Sequence, residues 1–328
     1  MRVLARLILA GLALTASASL SASAGGGKVS RIAQAGAALQ AGEADQALSI
    51  LNVLAQPGGS AEAYNLRCRV LYTLELWDQA ANDCEQAVKL DGQNSVDHLW
   101  LGRALGEKAS RASFLSAYSL AKRVRGEFEE AARLDARNAE ALADLGEFYF
   151  SAPGVVGGGT DKAEGVAAQL DKIDPVRAHE LRGHIAEERK DYGTAERELK
   201  QAIAVSAHPA FQWMTLASFY RHRERWTEME SAIRSGENAA DRDKRAGVAL
   251  YNGASLLIKT NRDPARAAKM LEEYLAGSAK TEEAPAFVAH TMLARLKEQL
   301  GDAAAASREK AAALALAHEY KPAQNLKH

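Results

Sequence analysis

The sequence predicts an all-α fold of about eight stacked helix–turn–helix repeats, a right-handed α-solenoid. Three observations support this: the composition favours helix, apolar residues recur at helical spacing, and one pattern of small and large residues repeats along the chain. Aromatic residues make up only 6% of the 328 residues and there are seven prolines. Abundant alanine and few β-branched residues suit helices better than strands. The length is sufficient for one or two domains.

The first 24 residues are typical of a secretory signal peptide. Arg2 and Arg6 give a positive start, residues 7–14 form a short apolar core, and Ala22-Ser23-Ala24 matches an A-x-A cleavage site. An uncleaved anchor is the weaker alternative, because spanning a bilayer takes about 20 apolar residues. The segment has no cysteine to carry a lipid. We expect cleavage after Ala24 and an exported, periplasmic protein of residues 25–328 with no membrane span.

The charge balance argues against a nucleic-acid partner. The chain has 41 basic and 42 acidic residues, and removing Arg2 and Arg6 with the signal leaves it slightly acidic. Nucleic-acid binding needs a basic stripe or patch, which this composition does not indicate.

The repeat is clearest in residues 64–92, YNLRCRVLYTLELWDQAANDCEQAVKLDG. One helix carries Tyr64, Cys68 and Leu71, and a second helix carries Ala80 and Cys84, with apolar residues three or four positions apart. Small residues fall where the two helices must approach closely. The anchor of the second helix recurs every 32 to 44 residues, at Ala47, Ala80, Val124, Ala163, Ala195, Met229, Ala267 and Ala306.

The segment NAEALADLG, residues 138–146, followed by Tyr149, Ala163 and Pro175, closely resembles the tetratricopeptide repeat family. The resemblance covers about residues 28–320. It implies helix pairs that stack into a superhelix with one continuous core. It also implies that the first helices line a concave groove and that the partner is a protein or peptide.

Two repeats exceed the 34-residue unit of that family. The third carries about ten extra residues between its helices, near 106–119, and the fourth about five, within 151–162. Insertions in repeat arrays often lie on the binding face. This region also resembles, more weakly, the periplasmic T-components of TRAP-type transporters. The resemblance implies an alternative function: a small-ligand carrier or transport accessory with an apolar pocket beside Phe114, Tyr118, Phe150 and Val155.

The stretch SAPGVVGGGTDKAEGVAAQL, residues 151–170, raises the question of a phosphate-binding loop. Gly154 and Gly159 have the spacing of that motif, but Lys162 comes two positions late and Asp161 brings a negative charge. We therefore interpret the stretch as an enlarged turn, with Thr160 or Asp161 capping a helix that begins at Lys162. An alternative is that the first N–H groups of this helix hold an anionic group of a ligand.

No catalytic or metal-binding constellation is evident. His179 and His184 imitate a zinc motif but lie five residues apart, about 140° around a helix, so one metal would not reach both. The tetrads at Ser119–Lys122 and Ser307–Lys310 lack the companion motifs of β-lactamase-like enzymes. The sequence predicts a non-enzymatic protein without cofactor or metal.

Cys68 and Cys84 are the only cysteines. They occupy facing positions on the two helices of one predicted pair. Export would expose them to an oxidising compartment. A disulfide and two buried free thiols both remain open as interpretations of the sequence.

The predicted groove follows from the inward positions of the first helices. Arginine and aromatic residues, which are frequent hot spots of protein interfaces, are common among them. The candidates are Arg69, Tyr72, Leu99, Arg103, Glu147, Phe150, Arg177, Glu180, His184, Phe211, Met214, Arg221 and Tyr251.

Overall fold

Alanine-rich segments with apolar residues every three or four positions form helices along the whole described chain. A computed structural model describes residues 26–243 and 246–327, so the predicted signal peptide lies outside the described residues. The described part contains seventeen α-helices and one short 3₁₀ helix, without a strand. None of these helices is both long and apolar enough to cross a membrane.

The described residues group into two compact units, although the repeat pattern runs through both. Unit 1 consists of residues up to 37 and 46–195. Its helices are most of α1 (Gly26–Ala41) and α2 (Ala44–Leu54), then α3 (Ala61–Thr73), α4 (Trp77–Leu90), α5 (Ser95–Arg111), α6 (Phe114–Leu134), α7 (Ala139–Ser151), α8 (Thr160–Leu170) and α9 (Pro175–Glu188). In this unit α3 packs with α4, α5 with α6 and α7 with α8.

Unit 2 consists of residues 38–45 and 196–328. Its helices are most of α10 (Tyr192–Val205), then α11 (Ala210–His222), α12 (Trp226–Ala240), α13 (Gly247–Lys259), α14 (Pro264–Ala276), α15 (Ala286–Gln299), α16 (Ala303–Leu316) and the short α17 (Lys321–Gln324). Here α11 packs with α12, α13 with α14 and α15 with α16. The predicted fold class, an all-α array of helix pairs, is confirmed.

The predicted anchors of the second helices lie in the core. All eight are at most 3% exposed, and they lie one each on α2, α4, α6, α8, α10, α12, α14 and α16. Large side chains such as Phe128, Leu142 and Leu199 fill the space around them and are also fully buried. The alternation of small and large residues therefore works as the sequence indicates.

The tight turns between the helices of a pair share one backbone conformation that the sequence pattern did not reveal. One turn residue has positive φ, and the next N–H donates to the carbonyl five residues earlier, as Leu76 does to Leu71 and Asp191 to Ala186. This is the Schellman ending of a helix. The positive-φ residues are Gly42, Glu75, Lys190, Glu224, Asn261 and Gly301.

The extra residues of the third repeat do not form a loop, which corrects the prediction of an insertion between its helices. They lengthen α5 to 17 and α6 to 21 residues, and only Ala112 and Ser113 separate the two helices. Two longer helices are favoured over a loop, because a helix satisfies the backbone hydrogen bonds of the added residues internally.

The glycine-rich stretch is a turn, but its details differ from the prediction. A 3₁₀ helix spans Gly154–Val156, and α8 already begins at Thr160, with Gly159 at the capping position and no side-chain cap. Neither Thr160 nor Asp161 therefore caps the helix. Gly157 has φ of +96°, and a Cβ there would collide with the Arg125 guanidinium of α6. The glycines let this turn lie directly against α6.

Cys68 on α3 and Cys84 on α4 form a disulfide in the structure, with Cα atoms 5.4 Å apart. Both residues are fully buried. The bond connects the two helices of one pair and closes a loop with a sequence separation of 16.

We expect reduction of this bond to lower the free energy of unfolding by about 3 kcal/mol. The bond restricts the unfolded chain, and for a closed loop of this length the restriction contributes about that much. Urea unfolding of the purified protein with and without reductant measures the change. The Cys68→Ala/Cys84→Ala variant is the control, since reductant should not affect it. Two alkylatable thiols in the unreduced, denatured protein would contradict the prediction.

Candidate functional site

The first helices of successive pairs in unit 1 pack against one another. Helix α3 contacts α5, α5 contacts α7, and α7 contacts α9. We call the cluster of side chains that these helices bring together around the buried Trp100 the first-helix face. The structure places Arg69, Tyr72, Arg103 and Glu147 of the predicted groove close together on it, within one network of contacts.

The centre of the first-helix face is the indole ring of Trp100 on α5. The guanidinium groups of Arg69 and Arg103 lie 5.2 and 4.7 Å from its centroid. The Tyr72 ring meets Trp100 edge-on with centroids 5.6 Å apart, and Trp77 meets Tyr72 in the same way at 5.0 Å. Cation–π and edge-to-face contacts of this kind hold planar side chains in fixed orientations.

Arg103 also connects α5 to α7 through two carboxylates. Its Nε donates to Asp144 Oδ2 at 2.6 Å and its Nη2 donates to Glu140 Oε2 at 3.2 Å. Nearby, the Tyr72 hydroxyl lies 3.5 Å from Glu107 Oε1. Charge-assisted hydrogen bonds to a planar guanidinium are strong and directional, so Arg103 is positioned before any partner arrives.

Two carboxyl groups, one on α5 and one on α7, have raised pKa values. Burial, together with the negative charge of Asp144, raises the pKa of Glu147 to about 8, although Arg103 opposes the shift. Burial, helped by Asp91, raises the pKa of Asp97 to about 6. Both groups therefore hold a proton more readily than an exposed carboxyl does.

The remaining unit 1 candidates take different positions. Phe150 and His184 form a ring contact with centroids 5.8 Å apart, at the junction of α7 and α9. Arg177 donates to Asp174, the N-cap residue of its own helix, at 3.1 Å. Leu99 and Glu180 are buried. Leu99 thus belongs to the core, which corrects its assignment to an open groove.

The unit 2 candidates lie on α11 and α13. Phe211 and Arg221 on α11 are half-buried. Tyr251 on α13 packs its ring against Tyr274 with centroids 5.8 Å apart. Met214 is a core residue, because it is buried beside Gly253, so it too is removed from the predicted groove.

Sequence reasoning missed four residues of the first-helix face: Trp100, Glu107, Glu140 and Asp144. Their positions carry a usable signal, since Glu107 lies one turn from Arg103 on α5, and Asp144 one turn from Glu147 on α7. Residues three or four apart on a helix share one face. Trp100 follows Leu99 directly, and a shift of one residue rotates a side chain by about 100°.

The apolar pocket that the carrier hypothesis required is not found in the described chain. Phe114 and Tyr118 are exposed, because the inserted residues extend a hairpin, and Val155 on the 3₁₀ helix is exposed as well. A shallow depression of about 150 Å³, partly open to solvent, lies elsewhere, beside Ala294 and Leu326. Small-molecule sites usually enclose about 300–1,000 Å³.

The start of α8 is partly occupied by its own chain. The N–H groups of Lys162 and Ala163 donate to the carbonyl of Gly159, and Lys162 Nζ donates to the carbonyl of Gly157 at 2.8 Å. Asp161 places a negative charge in the first turn. These contacts favour a structural turn, and an anion-binding role stays without support. Among residues 26–243 and 246–327, His, Cys, Asp and Glu form no group of three that could hold a metal ion.

Comparison with solved structures adds to this geometry. The chain is similar to TTC0263, described as a thermophilic TPR protein in Thermus thermophilus, with 16% identity and a TM-score of 0.50. The match covers 58% of this chain and 98% of that one. The fold is the tetratricopeptide-repeat fold. Neither a protein-family model nor a curated protein sequence matches the chain.

Two further structures show lower similarity to this tetratricopeptide-like chain. The Cut9–Hcn1 hetero-tetramer of the APC/C has 13% identity and a TM-score of 0.39, with 90% of this chain and 54% of that one covered. MamA has 15% identity and a TM-score of 0.34, with 52% and 93% covered. Scores this low add nothing to the assignment, which rests on the first match and on the helix pairs themselves.

The raised pKa of Glu147 predicts a pH dependence of stability. An unfolded glutamate has a pKa of about 4.3. Between that pH and about pH 8, the folded protein keeps a proton on Glu147 that the unfolded chain has already lost. This contribution to stability is complete below about pH 4 and disappears as the pH rises to about 8. The free energy of unfolding of Glu147→Gln should therefore rise by at least about 1 kcal/mol relative to that of the native chain between about pH 5 and pH 8.

Urea unfolding across that pH range measures the difference between the two proteins. Glu188→Gln, an exposed position on α9, is the matched control and should follow the native curve. Asp144, Glu140, Glu107, Arg103 and Tyr72 face the same region and are retained in both proteins. Parallel pH profiles for the native chain and Glu147→Gln would contradict the assignment.

Proposed function

We propose that this chain is a non-enzymatic repeat scaffold that binds a protein or peptide partner on the first-helix face of unit 1. The observation that carries the proposal is the pre-ordered cluster of Trp100, Arg69, Arg103 and Tyr72 beside the Glu147 carboxyl. Aromatic and arginine side chains with fixed orientation supply contact area at little entropic cost on binding. The tetratricopeptide fold supports the proposal at the level of architecture only.

The chemistry of the face favours an extended or helical peptide with mixed polarity. Arg103 already satisfies Asp144 and Glu140, whereas the half-buried ring of Tyr72, which packs edge-on against the buried Trp100, offers apolar surface. A partner segment that brings a basic side chain to Glu147 would stabilise its ionised form and release a proton on binding.

Site-specific photo-cross-linking tests the location. A photo-reactive residue at position 72 should capture one dominant partner from an extracytoplasmic extract, and the Arg69→Ala background should reduce that capture about tenfold, the effect of losing one hot spot. Arg103 is left unchanged, because its removal would leave Asp144 and Glu140 without their cation.

Matched controls separate this surface from the rest of the chain. A photo-reactive residue at Val53, exposed on α2, and an Arg133→Ala background, exposed on α6, should not reproduce these results. Equal capture from positions 72 and 53, or capture unaffected by Arg69→Ala, would rule out the first-helix face as the binding surface.

We further propose that the chain is exported with its first 24 residues removed. The supporting observation is the sequence of that segment, with Arg2, Arg6, a short apolar core and the A-x-A site. A disulfide between Cys68 and Cys84 is in keeping with an oxidising compartment.

Export predicts a protein that begins at Gly25 in the periplasmic fraction. Ala24→Pro should block cleavage and retain the longer chain, because the peptidase requires small residues at that site, whereas Ser23→Ala should be cleaved normally. Intact-mass measurement after osmotic shock distinguishes the products. A full-length chain confined to the cytoplasm would contradict export.

A further inference from the structure

The hairpin formed by α5 and α6 carries a cluster of exposed apolar side chains at its tip. Phe114 is 66% exposed, Leu115 79% and Tyr118 36%. Among the described residues, nine large apolar side chains are exposed, and these three lie within five consecutive positions. Single exposed apolar residues are ordinary, but a cluster of them marks an interaction surface.

Basic side chains surround this apolar tip without an acidic residue in the segment. Residues 108–126, KASRASFLSAYSLAKRVRG, contain Lys108, Arg111, Lys122, Arg123 and Arg125 and neither Asp nor Glu. The first turn of α6 also lacks an acidic residue, so the positive end of the helix dipole is not offset locally. The charged side chains of this segment are therefore all basic.

The acids that pair with these cations come from outside the segment. Lys108 Nζ lies 2.9 Å from Asp78, Arg111 Nη1 2.5 Å from Glu107 and Arg123 Nη2 2.7 Å from Glu85. The two cations nearest the apolar tip keep their heads accessible. Arg111 has half of its side chain exposed, and Lys122 is exposed, with Nζ 4.4 Å above the Tyr118 ring.

The small size of the apolar cluster favours a lipid surface over a protein as its binding partner. A stable protein interface buries about 800 Å² on each partner, and one aromatic side chain supplies at most about 150–250 Å². Three partly exposed side chains on a convex tip cannot reach that area, so a second copy of the chain or a folded partner is a poor fit. A lipid surface needs no matching groove, and its anionic headgroups complement the basic residues around the tip.

We propose that the tip of the α5–α6 hairpin binds the surface of an anionic lipid bilayer. Phe114 and Leu115 enter the boundary between headgroups and acyl chains, and Tyr118 lies at headgroup level with its hydroxyl towards water. Arg111 and Lys122 contact lipid phosphates. The helix does not span the bilayer. This attachment is independent of the first-helix face and of its partner.

Co-sedimentation with vesicles tests the proposal. The chain from Gly25 onward is used, because it contains every described helix and lacks the apolar leader. It should bind vesicles that contain phosphatidylglycerol and phosphatidylcholine, but bind poorly to phosphatidylcholine alone. Phe114→Ser/Leu115→Ser should weaken binding to the anionic vesicles at least about tenfold, since two exposed apolar side chains are lost. Lys122→Glu should weaken it and reduce its sensitivity to salt.

The matched control is Val53→Ser/Leu90→Ser, which removes two comparably exposed apolar side chains of unit 1 away from the tip and should bind as the native chain does. Circular dichroism melting confirms that each variant is folded. Unchanged binding by the tip variant, or equal binding to both kinds of vesicle, would overturn the proposal. So would a native dimer in analytical ultracentrifugation that the tip variant abolishes while vesicle binding is absent.

Discussion

The close approach of two helices within each pair is the constraint on which the rest of this structure depends. At every crossing the second helix contributes a residue that is at most 3% exposed, and in six of the eight predicted repeats that residue is alanine. A methyl group lets the helix axes come close enough for the larger side chains on both sides to interlock. Overpacking such a position commonly costs about 1–3 kcal/mol. The crossing thus sets the spacing at which neighbouring pairs can stack within each unit.

The third pair shows how the same constraint is met with different residues. Its anchor is Val124 rather than alanine, and the neighbouring Phe128 is fully buried. The extra volume is accommodated on the facing helix by Gly102, where an added Cβ would lie 2.5 Å from Phe128 Cε1. The larger side chains on α6 are thus balanced by the missing side chain of Gly102 on α5, so that the total volume at the crossing is kept. Cores tolerate exchanges of this kind as long as the summed volume is kept.

Local periodicity explains why the helix pairs and their anchors were predictable, and long-range packing explains what was not. The burial of Ala80 or Ala163 follows from helical spacing alone. The assignment of Leu99 to the groove was wrong, because its neighbours on adjacent helices bury it. The long hairpin was missed because the residues of GEKASRASFLSAYS are compatible both with a loop and with two longer helices. The turn before α8 depends in the same way on Arg125 of α6, whose Nη1 donates to the carbonyl of Val156.

Two surfaces of unit 1 use opposite physical strategies. On the first-helix face, charges of both signs are half-buried and already paired, so binding there relies on orientation that Arg103 and Trp100 possess beforehand. At the hairpin tip, apolar side chains are exposed beside basic ones. Attachment there relies on the transfer of apolar side chains into the bilayer and on the attraction of basic side chains to anionic headgroups, which salt screens. The two can be altered separately, because the buried residues of the third pair, such as Leu105 and Phe128, lie more than one helical turn from Phe114 along the chain. A helical repeat can therefore carry an attachment site at its end without disturbing the stacking that builds its binding face.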